Sequence, residues 1–206
     1  LTANNSPTFT TGLLGGATGA TQLVGASSQD WSIADNAALS MGDLDFTILA
    51  WAYADTRNTN TMVAKSDLFN DVASFTEYNL KLNESSPNTS VVFQVSDGTS
   101  IGVASLAWFA TGGWHLVVGW HDSVLNTVNV QVDDGTINSV SWTTGCYDGS
   151  KPFRIGGRGT GNAVDQWDGR LDNVCVAKSA AGGGGVLTAA QRTAFYNAGV
   201  GTEAIT

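Results

Sequence analysis

The chain has 206 residues, 42% of them hydrophobic and only 13% charged, enough to bury a real core while Ser, Thr, Asn and Gly cover much of the surface. Eighteen acidic against nine basic residues give a formal net charge of −9, and no Lys/Arg cluster offsets it, so the chain repels polyphosphate and nucleic acid is excluded as a partner. No apolar run approaches the roughly 18 residues of a helical membrane span, no signal peptide is legible, and the start at Leu1 suits a processed product or a piece of a larger protein or particle.

Short apolar runs recur between turn signals. Residues 46–54 are apolar on both faces, which predicts a central strand covered on each side. Tyr78, Leu80 and Leu82 alternate with Asn79 and Lys81, the period-two pattern of a half-buried strand. Val91, Phe93 and Val95 repeat that pattern, and the polar stretch 83–90 reads as the connection between the two runs. Asp97-Gly98 is hairpin punctuation, because glycine accepts the positive φ such turns need. Residues 116–120 are again apolar on both faces, 128–132 alternate, and Asp134-Gly135 marks the next turn. The glycine run 182–185 reads as a flexible loop, followed by a helix capped at Thr188, spanning 189–196 and ended by Gly199, with Leu187, Phe195 and Tyr196 to dock it. No internal repeat of useful period is present. The pattern predicts one all-β domain over residues 1–206, a two-sheet antiparallel β-sandwich with one short C-terminal helix. A domain of this size needs no staple, which favours Cys146 and Cys175 as free thiols.

Five stretches in order carry a resemblance. Trp31-Ser32-Ile33-Ala34-Asp35, with the Asp45 to Trp51 run after it, resembles the opening of concanavalin A-like, laminin G-like domains. Trp114-His115-Leu116-Val117-Val118 and the strand ending at Asp134-Gly135 are similar to their central strands. Phe153-Arg154-Ile155-Gly156-Gly157, followed by Trp167-Asp168-Gly169-Arg170-Leu171-Asp172-Asn173-Val174, resembles their closing motif, and Leu187-Thr188 with Phe195-Tyr196 falls where they carry a final helix. The resemblance covers roughly residues 22–200. It implies a concanavalin A-like jelly roll, a core role for Trp31, Trp51, Trp114 and Trp167, and no single ligand, since that scaffold serves lectins, adhesion modules and glycan-cleaving enzymes. It also implies a structural Ca²⁺ near Asp172, with Asp30 as a second contributor, because Ca²⁺ takes six to eight oxygens and strand carbonyls supply them readily.

Catalytic chemistry finds little support. Glycoside hydrolysis needs paired carboxyl groups, yet no Glu has another acidic residue two positions away, and Asp43/Asp45 and Asp133-Asp134 read as turn residues. His115 reads as a core or edge histidine and His121 as a turn residue. The Gly156–Gly161 run of glycines lacks a following helix to present a phosphate site, so it reads as an inter-strand loop.

Binding chemistry fits better. Sugars stack their C–H faces on aromatic rings while Asp, Asn and Arg hold the hydroxyls. Trp142, Tyr147, Arg158, Asn162 and Asp165 come from loops flanking one strand and supply both kinds of group, a candidate ligand rim. The expectation is a non-catalytic, lectin-like carbohydrate-binding module that meets a glycan or polysaccharide outside the cell. The alternative, from a different class, is a structural or adhesive domain of a cell-surface or virion assembly, such as a decoration or tail appendage.

Overall fold

The computed structural model describes residues 1–16, 19–57, 60–66, 76–85, 88–159 and 165–202. Its strands are β1 (Thr2–Asn4), β2 (Thr8–Thr10), β3 (Ala20–Leu23), β4 (Asp30–Ile33), β5 (Asp45–Ala54), β6 (Asn60–Ser66), β7 (Thr76–Ser85), β8 (Asn88–Ser96), β9 (Ile101–Ala107), β10 (Trp114–Asp122), β11 (Thr127–Val132), β12 (Ile137–Ser141), β13 (Phe153–Ile155) and β14 (Gly169–Ser179), and α1 (Ala189–Tyr196) follows them. The first sheet runs β1-β4-β13-β6-β7-β8-β9 and the second β12-β11-β10-β5-β14-β3-β2, with antiparallel pairing throughout. This is the predicted two-sheet antiparallel sandwich with one short C-terminal helix.

Alternation explains how the two layers meet. Tyr78, Leu80 and Leu82 of β7 and Val91, Phe93 and Val95 of β8 face Phe46 and Ile48 of β5, Val117 of β10 and Val128 and Val130 of β11 across one core. Gly119 of β10 leaves room for the Phe93 ring, since a Cβ there would lie 2.4 Å from it. The opposite side of the second sheet carries another apolar cluster, Leu49, Trp51, Leu116, Val118 and Trp120, which Leu187 and Phe195 of the helix segment cover. That is why 46–54 and 116–120 are apolar on both faces. One face meets the first sheet and the other meets α1.

The helix begins as read, with a capping box in which Gln191 N–H donates to Thr188 Oγ1 (3.3 Å) and Thr188 N–H to Gln191 Oε1 (2.9 Å). It spans 189–196 as read, but the left-handed residue that ends it is Asn197 (φ 44°) and not Gly199. Three further expectations are corrected. The loop 182–185 is tied down rather than flexible: Gly182 N–H donates to Asp45 Oδ2 (2.5 Å) and Gly185 N–H to Ser179 Oγ (2.7 Å). The polar stretch 83–90 is no open connection, since β7 and β8 stay paired through Asn83↔Ser90 to Ser85↔Asn88. His121, read as a turn residue, is fully buried in β10, its Nδ1 2.9 Å from the Leu44 carbonyl oxygen. Both cysteines are free, Cys146 in the inter-sheet core and Cys175 against the helix-side cluster.

Candidate functional site

The residues named for the ligand rim fall into two places. Trp142 lies flat on β9, its ring 2.7 Å from where a Cβ of Gly102 would be, and its Nε1–H donates to the Gly145 carbonyl (2.8 Å). Tyr147 stands over Gly98 and Gly149, and its N–H donates to the Ser96 carbonyl (2.8 Å). Arg158 and Asp165 instead form an ion pair with each other beside β6, where the Asp165 carbonyl accepts Thr61 N–H (2.8 Å). Thr61 is in register with Lys81 and Val92, and Val92 lies four residues before Ser96 on β8, about 13 Å along the strand. The structure therefore brings Arg158 to Asp165 over β6, where the adjoining Gly159 N–H donates to the Ser66 carbonyl (3.3 Å), and Trp142 near Tyr147 at β8 and β9, with Trp142 packed against the inter-sheet core. Asn162 lies outside the described residues.

Between β6 and β9, the outer face of the first sheet is unusually polar. Because Tyr78, Leu80 and Leu82 point into the core, Asn79 and Lys81 point away from it. Register places Ala64, Asn79, Gln94 and Val103 in one row and Thr61, Lys81, Val92 and Ser105 in the next. Thr61, Asn79, Lys81 and Gln94 are buried, and the face reaches solvent at β9, where Val103 is 44% exposed. Lys81 and Gln94 have partners, but both amide atoms of Asn79 and the hydroxyls of Thr61, Ser66 and Thr76 are shielded without any among the described residues. An unpaired buried polar group costs about 1–3 kcal/mol, so such a concentration marks a place built for something other than stability. Side-chain amides and hydroxyls each offer a donor and an acceptor, the complement of a polyhydroxylated ligand. Sequence reading passed over these residues because Asn and Thr on the polar side of an alternating strand look like solvent-facing positions. Only their burial distinguishes them.

A second polar cluster lies at one end of the sandwich, with Lys65 and Glu77 buried and Asp35 and Asp148 exposed. Lys65 pairs with Tyr78 and Phe153 across β7 and β13, which directs its side chain inward. A register shift between Lys65 and Ser66 leaves Glu77 as an extra residue in β7, a bulge that brings its carboxylate to the ammonium. Lys65 Nζ also donates to Asp35 Oδ1 (2.8 Å) and the Gly149 carbonyl (2.7 Å), and Gly149 N–H donates to Glu77 Oε1 (2.8 Å). Burial pushes the Glu77 carboxyl from 4.5 up to about 7, against the opposing pull of Lys65 and the Gly149 N–H. Carboxylate oxygens of Asp35, Glu77 and Asp148 lie within 4.8 Å of one another, a trio that could hold a metal ion, with the Lys65 ammonium bonded to two of its members. A raised carboxyl beside other acids is also what a general acid needs. Glu77 is only 1% exposed, however, and one of its oxygens is already held from two sides.

The two residues implied for calcium have separate partners. Asp30 receives Arg154 Nη1 on both oxygens (2.8 and 2.8 Å) and Asn4 Nδ2 on one (2.5 Å). Asp172 accepts Leu13 N–H (2.9 Å) and Asn173 N–H (2.8 Å), and forms one wall of an open groove of about 250 Å³ between Phe9, Trp31, Leu171 and Val174. They sit on different sheets, and no hydrogen bond links them. Of the tryptophans expected in the core, Trp51 and Trp167 are fully buried and Trp31 is half-buried. Trp114 is half-buried on the outer face of the second sheet, at the margin of the helix-side cluster.

A family model described as the concanavalin A-like lectin/glucanases superfamily (Laminin_G_3) matches residues 24–182. No curated protein matches the chain. Among solved structures, domain 4 of AbnA, an extracellular GH43 arabinanase from Geobacillus stearothermophilus solved with arabinotriose, is similar at a TM-score of 0.63 and 16% identity, over 92% of this chain and 81% of that one. The CBM40 of the Ruminococcus gnavus IT-sialidase, bound to alpha2,3 sialyllactose, is similar at a TM-score of 0.54 and 8% identity, over 70% of this chain and 82% of that one. The enzymatically active domain of tailspike protein 2 from bacteriophage CBA120 is similar at 0.61 and 12% identity, over 95% of this chain but 29% of that one. At these identities the likeness is one of fold.

Proposed function

This chain belongs to the concanavalin A-like lectin/glucanases superfamily, and we propose that it is a carbohydrate-binding module that holds a glycan without cleaving it. The observation that carries the reading is Asn79, whose amide nitrogen and oxygen are both shielded and unpaired on the outer face of the first sheet. Gln94 in the same row, Thr61 and Lys81 in the next, and the Arg158–Asp165 pair at the border make a buried face of donors and acceptors. A saccharide's hydroxyls pair with such groups when they are reached from the β9 side, where the face opens at Val103. The arabinanase domain and the CBM40, both solved with sugars, support this use of the fold. Absence of catalysis rests on the carboxylates. Glu77, the buried member of the acidic trio, is turned inward onto Lys65, while Asp35 and Asp148 are exposed at the end of the sandwich, away from this face. The module works outside the cell, as part of a secreted or surface protein.

One observation favours the alternative of a structural or adhesive domain in a surface or virion assembly. Val124 and Leu125, at the tip between β10 and β11, are 59% and 72% exposed, a small apolar knob suited to protein contact. A glycan array with and without a calcium chelator separates the readings. Binding to a defined saccharide that Asn79→Ala abolishes without lowering the melting temperature supports the module, and chelator sensitivity would add the metal. Silence across the array, or unchanged binding by Asn79→Ala, discards the first-sheet face.

A further inference from the structure

The outer face of the second sheet is covered by α1 only in part. Trp51 of β5 stacks on Tyr196 at 6.0 Å between ring centroids, and Tyr53 stands one step further along the same side of the strand. Register sets Trp114 of β10, Tyr53 of β5, Arg170 of β14 and Gln22 of β3 side by side across four strands, roughly 14 Å from end to end at the usual strand spacing. All four are half-buried. The Tyr53 and Trp114 rings meet edge to face at 5.6 Å, and the Arg170 guanidinium lies 3.6 Å from the Tyr53 centroid and 5.6 Å from that of Trp114. Stacking of this kind fixes a guanidinium and leaves its edge donors unused.

Those donors have no partner among the described residues. Among the described residues Arg170 makes no hydrogen bond and no ion pair, and the Tyr53 hydroxyl and Trp114 Nε1–H are equally unpaired. Three other arginines are hydrogen-bonded, Arg154 with Asp30, Arg158 with Asp165, and Arg192 with Gln131 and the Leu187 carbonyl, while the exposed Arg57 lies over the Trp108 ring at 5.9 Å. Gln22 is anchored too, donating to the Gly169 carbonyl (3.1 Å) and reaching Asp55 Oδ2 at 3.5 Å, and Asp55 forms no ion pair with Arg170. A rigid, unmatched guanidinium in a chain of net charge −9 is an unusual feature.

We propose that the Trp114–Tyr53–Arg170 row is a second ligand site, separate from the first-sheet face, and that it takes a carboxylated sugar. The guanidinium fork matches a carboxylate bidentately. The Trp114 ring offers an apolar surface to the C–H face of a pyranose, and the Tyr53 hydroxyl and Trp114 Nε1–H reach its hydroxyls. The acidity of the whole chain argues for one charge on a sugar ring and against a dense polyanion.

The test titrates the whole chain with tetragalacturonic acid, its methyl ester and sialyllactose, following heat and tryptophan fluorescence. Esterification removes the charge and keeps the sugar, so an acid should bind about tenfold or more tightly than the ester. Arg170→Gln should erase that preference, Arg170→Lys should recover part of it, and Asn79→Ala should leave it intact. The wild-type comparison of acid with ester requires no variant to fold. Equal affinity for acid and ester, binding of neither acid, or wild-type acid binding by Arg170→Gln would each overturn the site. None of these results bears on the first-sheet face, which Asn79→Ala tests by itself.

Discussion

Lys65 donates from near the C-terminal end of β6 to the bulged Glu77 of β7, and both side chains are closed off from water. A charge pair in that position is held by its neighbours as much as by mutual attraction. Gly149 contributes both its N–H and its carbonyl, and Asp35 supplies a second acid. Removing one member leaves the rest buried and uncompensated.

Lys65→Met should therefore cost about 3–5 kcal/mol in denaturant unfolding, the usual penalty for breaking a buried pair. With the ammonium gone, Asp35, Glu77 and Asp148 face one another. Millimolar Ca²⁺ should then raise the melting temperature of the variant more than that of the wild type, since three close carboxylates favour a hard cation. An equal response in both proteins would mean that Lys65 does not occupy the charge position of the trio.

Glu77 also predicts a pH dependence. Its folded pKa, raised to about 7, lies above the ordinary 4.5, so folding favours the protonated form. The contribution is complete below pH 4.5 and is lost as pH rises through 7, a change on the order of 3 kcal/mol. Asp45 works in a separate window. Burial raises its carboxyl, but hydrogen bonds from Ser123 and Gly182 outweigh that and lower it below 3.8, so its contribution is lost only under more acidic conditions. Urea midpoints at pH 4.5 and 7.5 should differ in the wild type and converge in Glu77→Gln; an unchanged slope would assign the dependence elsewhere.

Gly119 is where the two sheets interlock. A Cβ there would meet the Phe93 ring at 2.4 Å, with Ile48 and Val130 as strand partners on either side. Gly119→Ala should destabilise by about 1–3 kcal/mol through overpacking. Phe93→Leu in the same chain should recover part of the loss, and a double-mutant cycle that shows no coupling would refute the contact.

Thr188→Ala removes the capping-box acceptor of Gln191 N–H and should cost about 1 kcal/mol. Because α1 covers Trp51 and Leu116, part of the change should appear as increased tryptophan exposure, read by fluorescence quenching.

Much of the fold was legible, and the reason lies in the range of the signals. Tyr78, Leu80 and Leu82 declare their face by alternation, and Thr188 with Gln191 declares a helix start by a spacing of three residues. The apolar stretch around Trp51 showed that both faces of β5 are covered, though not that α1 forms one of the covers. The site was legible only as chemistry. Arg158 and Asp165 meet over β6, but the loop carrying Trp142 and Tyr147 folds over Gly102 and Gly98 at the β9 edge of the sheet. Loop residues announce what they can bind, whereas strand register decides which of them share a surface.

By itself the sequence determined the local periods, the turns and the helix cap, because each depends on residues a few positions apart. Only the tertiary structure decided that Asn79 is shielded without a partner, that Lys65 enters an acidic cage and that Arg170 lies on Tyr53. Contacts such as Asp172 with the Leu13 N–H join residues 159 positions apart. Which distant groups meet is set by how two sheets and a helix stack, and no short-range pattern records it.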